Sequence, residues 1–152
     1  MYRKQEMEKK LARLAGFMDS LNLDGIYLAK AMNFSWLTAG GVDRVVAGSE
    51  TGPAGILVLG EKKYLLAPKN EMDRFLEEEV TDLGFEPVTF DWFNSREKVV
   101  LDLARGKKVA ADHPTGNLPV LGRELNRLRF SLTEEEVVRA RKIGAISSEI
   151  IA

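Results

Sequence analysis

The stretch GILVLGEKKYLLAP, residues 55–68, constrains this chain more than any other. Its two apolar runs are each short enough for a strand and flank a tight turn at Gly60-Glu61-Lys62. Strands joined so closely pair antiparallel, because a parallel crossover needs a dozen residues or more. Elsewhere helical and strand patterns alternate singly, which favours parallel neighbours. An opening helix carries Met7, Leu11, Leu14, Met18 and Leu21 on one stripe, with Gly25 as its left-handed exit, and IYLAK follows as a buried strand. After the hairpin, NEMDRFLEEEVTDLG reads as a helix capped by Asn70 and stopped near Gly84. FEPVTFDWF alternates at Val88, Phe90 and Trp92 as a strand. SREKVVLDLARG reads as a helix, KKVAAD as a strand, and LPVLGRELNRL as a helix with Leu118, Leu121, Leu125 and Leu128 in register; RFSL supplies one more short strand. The pattern predicts an α/β fold: a three-layer mixed sheet of about five or six strands, helices on both faces, and one β-hairpin.

A chain of 152 residues suits one domain and buries enough surface to need no staple. Its 22 basic and 23 acidic side chains leave a net charge of −1, which gives no footprint for nucleic acid or an anionic membrane. Cysteine is absent, which excludes disulfides, thiolate metal sites and a cysteine nucleophile. No apolar run approaches the ~20 residues that cross a bilayer. The charged start MYRKQEMEKKLARLAGFM is not a secretory signal, so the cytoplasm is the expected location.

The search for chemistry returns little. GSETGPAG has the wrong glycine spacing for a dinucleotide loop, and GILVLGEK lacks the Lys-Ser/Thr of a phosphate loop. His113 is the single histidine and reads as a loop residue with a local hydrogen bond. The carboxylates of LEEE and TEEE point in different directions on helices and read as solvated faces. No serine lies in a nucleophile elbow. We therefore expect no catalytic residue and no metal ligand set in this chain. What stands out is NFSWLT, a helical turn capped by Asn33, with Phe34 and Leu37 on one face and Trp36 directed elsewhere, to solvent. It leads into a long glycine-rich loop bearing Arg44, and exposed aromatics beside such a loop suit recognition.

The last segment, TEEEVVRARKIGAISSEIIA, opens with a capping box of Thr133 and Glu136. Its later half presents Ile143, Ile146 and Ile150 with nothing after them to cover the stripe, which predicts self-association and a sequence cut short.

NFSWLTAG resembles the Asn-x-x-Tyr-Leu-Thr-Gly signature in the N-terminal domain of the creatinase, prolidase and aminopeptidase P family, with Trp36 at the tyrosine position and Ala39 inserted before the glycines. The opening helix, LDGIYLAK, the hairpin and the closing helix follow in that family's order. The resemblance implies a creatinase/prolidase-type N-terminal domain over residues 1–132, with 133–152 starting the helix into an absent catalytic domain. It implies a parent Xaa-Pro metallopeptidase whose two divalent metal ions sit in that missing domain, acting on a peptide substrate. The N-terminal domain would help form a homodimer and restrict substrate access, with Asn33, Phe34, Trp36 and Arg44 facing the substrate. Two alternatives stand beside this: a stand-alone ligand- or protein-binding module on the same fold, and the N-terminal part of a creatinase-like amidinohydrolase.

Overall fold

Ile26 and Tyr27 are neighbours on one strand, yet each enters a different apolar cluster, so the sheet is covered on both faces. The computed structural model describes residues 2–46 and 48–151. Five strands, β1 (Gly25–Lys30), β2 (Thr51–Leu59), β3 (Lys62–Pro68), β4 (Glu86–Phe90) and β5 (Val109–Ala111), form one sheet in the order β4-β3-β2-β1-β5. β2 is antiparallel to β1 and β3, whereas β3–β4 and β1–β5 are parallel. Only β2 opposes the common direction. The expected hairpin is β2–β3, with Leu59 opposite Lys62. β2 begins at Thr51, so the end of the anticipated loop is strand.

Helices α1 (Tyr2–Ser20), α2 (Ala31–Leu37), α3 (Lys69–Arg74, continued by a π-helical turn over Phe75–Glu79) and α5 (Gly122–Leu128) cover one face. Met7, Leu14, Met18, Phe34 and Phe75 meet Ile26, Leu28, Ile56 and Leu65 there. Phe34 and Phe75 stand edge to face at 5.6 Å. Each such side chain contributes about 1.5–3 kcal/mol when fully buried. On the opposite face, α4 (Arg96–Leu103) brings Val100 against Tyr27, Leu57, Leu66 and Phe90. The last helix, α6 (Glu134–Ile151), buries none of its residues.

Several local expectations give way to tertiary structure. The α1 stripe ends at Met18 and Leu21 is exposed; Asn22 (φ 52°) takes the left-handed position, while Gly25 opens β1. Asn33 is not a cap, because α2 starts directly after Lys30, and Pro68 takes the cap position of α3 in place of Asn70. Leu118 and Leu121 precede α5: hydrogen bonds between Ala111 and both Pro119 and Leu121 hold that segment extended beside β5. The same pairing occupies the outer edge of β5, and RFSL forms a turn and not a strand. β4 stops at Phe90, and a turn closed by Asn94 N–H to Asp91 O swings Trp92 outward.

The topology has one consequence for function. The C-terminal ends of β1, β3, β4 and β5 meet the start of β2 at one end of the sheet, where open α/β sheets present their loops to ligands. α2, the 38–50 segment, the 91–95 turn and the 112–117 loop gather there.

Candidate functional site: the carboxyl end of the sheet

Asn33 is buried, and its Nδ2 donates to Asp112 Oδ2 at 2.7 Å. Asp112, just past β5, also accepts the Ala29 N–H at 2.7 Å and the Lys30 N–H at 3.1 Å. A buried carboxylate with several donors is a stable joint, and this one ties α2 to the ends of β1 and β5. Asn33 is therefore committed to the interior. Phe34 lies in the core against Phe75, which corrects the expectation that it lines an open surface.

Trp36 is buried as well, contrary to the exposure expected of it. Its carbonyl accepts from Lys10 Nζ at 2.7 Å, and the same ammonium lies 5.6 Å from the indole centroid. Lys10, 1% exposed, also meets Glu6 Oε1 at 2.6 Å and Glu136 Oε1 at 2.8 Å. Three acceptors thus match its three N–H groups. Arg139 completes the cluster with two bonds to Glu6, at 2.6 and 2.8 Å. Burial raises the Glu6 carboxyl, but Arg139 and Lys10 outweigh it and hold the group below its ordinary 4.5. So the TEEE motif is only partly solvated: its last member enters a buried ion cluster, and Glu135 bonds Lys9 at 2.6 Å. LEEE departs likewise, since Glu79 accepts the Val42 N–H at 2.6 Å and pairs with Arg74 at 3.2 Å.

The chain leaves α2 through Ala39 (φ 55°) and Gly40 (φ 112°), a left-handed reversal that glycine tolerates without strain. Arg3 spans the reversal, donating to Thr38 O at 2.8 Å and to Glu79 O. Asp43 then anchors the following segment: it is 1% exposed, and its Oδ1 accepts the Ala54 N–H at 3.0 Å. Burial pushes its carboxyl up to about 6, against the pull of that N–H and of Arg96 and Arg74. Arg96 Nη1 donates to Gly52 O at 2.8 Å and Ala54 O at 2.6 Å. A side chain at Gly52 would collide with the Asp43 carboxyl, and one at Gly55 would stand 2.5 Å from Tyr27 Oη. These glycines therefore make room for buried polar groups. Burial also raises the Tyr27 phenol to about 12.

Above this anchored base the surface is open. Arg44 is exposed, flanked by Val45 and Val46, with Met32 and Val42 beside it. At the same sheet end Trp92 and Phe93 are 77% and 71% exposed and stand edge to face at 5.8 Å. The sequence held a sign of this pair: consecutive aromatics on an alternating strand cannot both face the core.

No protein-family profile and no curated relative matches the sequence. Solved structures do match its shape. The dipeptidase PepE from Mycobacterium ulcerans superposes with a TM-score of 0.64 at 19% identity, over 88% of this chain and 39% of that one. The prolidase from Pyrococcus horikoshii OT3 gives 0.63 at 18% identity, over 94% and 41%. The N-terminal, creatinase/prolidase-like domain of a Corynebacterium diphtheriae protein gives 0.52 at 14% identity, over 86% and 90%. The chain has the creatinase/prolidase N-terminal-domain fold. It spans 39% and 41% of the two peptidase chains, about two fifths, and nearly all of the separate domain.

Within this creatinase/prolidase-like fold, His113 behaves as expected, its Nδ1 lying 3.2 Å from Pro114 O in a loop. Among the described residues no group of three or more His, Cys, Asp or Glu side chains comes together to hold a metal ion. The residues present therefore do not fit a dimetal centre. No helix among them is long and apolar enough to cross a membrane. Ile143, Ile146 and Ile150 are exposed on α6.

Proposed function

We propose that this chain is the non-catalytic N-terminal domain of a cytoplasmic Xaa-Pro metallopeptidase, where it contributes to a homodimer and restricts substrate access. The observation that carries the reading is the sheet end itself: one exposed arginine, on a segment pinned by Asp43 and Glu79, with apolar side chains around it. A guanidinium in such a setting suits the terminal carboxylate of a short peptide. Arg44 is the substrate-facing residue of this reading; Asn33, Phe34 and Trp36 are buried and hold α2 in place through Asp112, Phe75 and Lys10. The likeness to solved structures titled dipeptidase and prolidase supports a peptide as substrate. The two divalent ions belong to the other domain, and no step of their chemistry involves residues of this chain.

The test has two arms. The purified chain is offered Xaa-Pro dipeptides with divalent metals, and no turnover is expected; metal-dependent hydrolysis would overturn the assignment. In the polypeptide extended by the coding sequence beyond codon 152, Arg44→Ala should raise KM on the order of tenfold with kcat little changed. An unaltered KM removes Arg44 from the substrate's path.

A further inference from the structure

The residues around Arg44 are seated on the protein by a single buried side chain. Val42, Arg44, Val45 and Val46 are exposed, and Asp43 among them turns inward, 1% exposed. Two hydrogen bonds hold this stretch: the Val42 N–H to Glu79 Oε2 at 2.6 Å, and the Ala54 N–H to Asp43 Oδ1 at 3.0 Å.

The seat suits a neutral carboxyl group and suits a carboxylate poorly. Gly52 leaves the room for it, since a side chain there would collide with Asp43. Oδ2 is enclosed as well, and no donor among the described residues reaches it. In water both oxygens of an ionised carboxylate are solvated; here one keeps a single N–H and the other keeps nothing. The surrounding charges do not repair this. Arg96 of α4 commits its Nη1 to Gly52 O and Ala54 O, at 2.8 and 2.6 Å. Arg74 of α3 is paired with Glu71 and with Glu79, which is itself a second negative charge. The Tyr27 phenol of β1 is neutral. Burial raises the Asp43 carboxyl most, the Ala54 N–H, Arg96 and Arg74 draw it down, and Glu79 adds to the rise, leaving it at about 6.

We infer that residues 42–46 form a proton-controlled latch, seated while Asp43 is neutral and released when it ionises. Hydrating the carboxylate does not require the sheet to unfold. Lifting 42–46 breaks the two hydrogen bonds above and uncovers no apolar core residue, because Asp43 is the one buried member. Once released, the carboxyl titrates at its ordinary 3.8, whereas the seated one titrates at about 6. Seating is therefore favoured most below 3.8, and that advantage is lost as pH rises to about 6. Arg44, the next residue, moves with the latch. The inference does not rest on the peptidase reading, and its test reads no turnover.

Amide hydrogen exchange on the whole chain tests this at Ala54, whose N–H is the one Asp43 accepts. Corrected for the intrinsic rate, protection there should fall roughly fiftyfold between pH 4 and pH 7.5. In Asp43→Asn, whose side-chain carbonyl still accepts that N–H, protection should stay level over the same range. Low urea should leave exchange at Ala54 unchanged while speeding it at Leu57, buried in the same strand, because the latch opens without the sheet. Glu79→Gln keeps an acceptor for Val42 but removes a like charge near Asp43, so the fall should shrink. This second variant decides the matter if Asp43→Asn does not fold. Protection at Ala54 that ignores pH, an equal fall in Asp43→Asn, an undiminished fall in Glu79→Gln, or a urea dependence shared with Leu57 would each overturn the proposal.

Discussion

Asp43 is a carboxylate the fold would rather keep neutral, and it sits at the base of the exposed segment that carries Arg44. Its ordinary value of 3.8 rises to about 6 on folding, so the folded protein holds that proton more tightly than the unfolded chain. The stability this group contributes is therefore present below 3.8 and lost as pH rises to about 6. A shift of this size corresponds to about 3 kcal/mol. Asp43→Asn should abolish the loss: in urea unfolding the variant is expected to gain about 1–2 kcal/mol at pH 7.5, the buried amide offsetting part of the shift, and to match the parent near pH 4. Equal stabilities at both pH values would contradict the account. Little of this was legible in the sequence, because Asp43 reads there as an ordinary polar residue in a glycine-rich loop. Its burial depends on Gly52, Ala54 and Arg96 closing around it. Asn33 makes the same point, since its partner Asp112 is 79 residues away.

At the level of elements, the features written in local spacing were readable and those written in contact were not. The capping box forms as its spacing requires, with Glu136 N–H to Thr133 Oγ1 at 3.2 Å and Thr133 N–H to Glu136 Oε2 at 2.7 Å. The hairpin likewise follows from its short turn. Lys10, by contrast, lies among Met7 and Leu14 on the buried stripe of α1, and nothing local indicates that its ammonium meets Trp36 O and Glu136. That joint carries a prediction opposite in sign to Asp43. Burial raises the Glu6 and Glu136 carboxyls, but hydrogen bonds from Arg139 and Lys10 to Glu6, and from Lys10 and the Thr133 N–H to Glu136, leave both below their ordinary 4.5. The stability they contribute is present above 4.5 and lost as pH falls through their lower folded values. Glu6→Gln leaves Lys10 and Arg139 short of a counter-charge and should cost about 3 kcal/mol at pH 7. Trp36 fluorescence in a Trp92→Phe background reads the local change, and the cost should shrink in acid.

At the scale of the molecule, periodicity predicted a mixed three-layer sheet, but the strand order lay beyond it. Local pattern identifies β5 as a strand, yet its place beside β1 depends on pairing across more than eighty residues. The boundary near 133 is open to a direct test. The two apolar clusters that hold the sheet draw on residues up to Leu128, and α6 is joined to α1 through charges. A chain ending at residue 132 should therefore keep a cooperative unfolding transition and the near-ultraviolet signature of a packed core. It should not keep full stability, because Lys10 loses Glu136 and Glu6 loses Arg139, leaving a buried pair with unmet hydrogen bonds at a cost of about 2–3 kcal/mol. Replacing that pair with Glu6→Leu and Lys10→Met in the shortened chain should recover most of the deficit, since apolar side chains of similar volume need no partners there. A shortened chain that unfolds without a sharp transition would show that α6 is part of the folding unit, and the division at 133 would then mark an ion-paired helix of one domain.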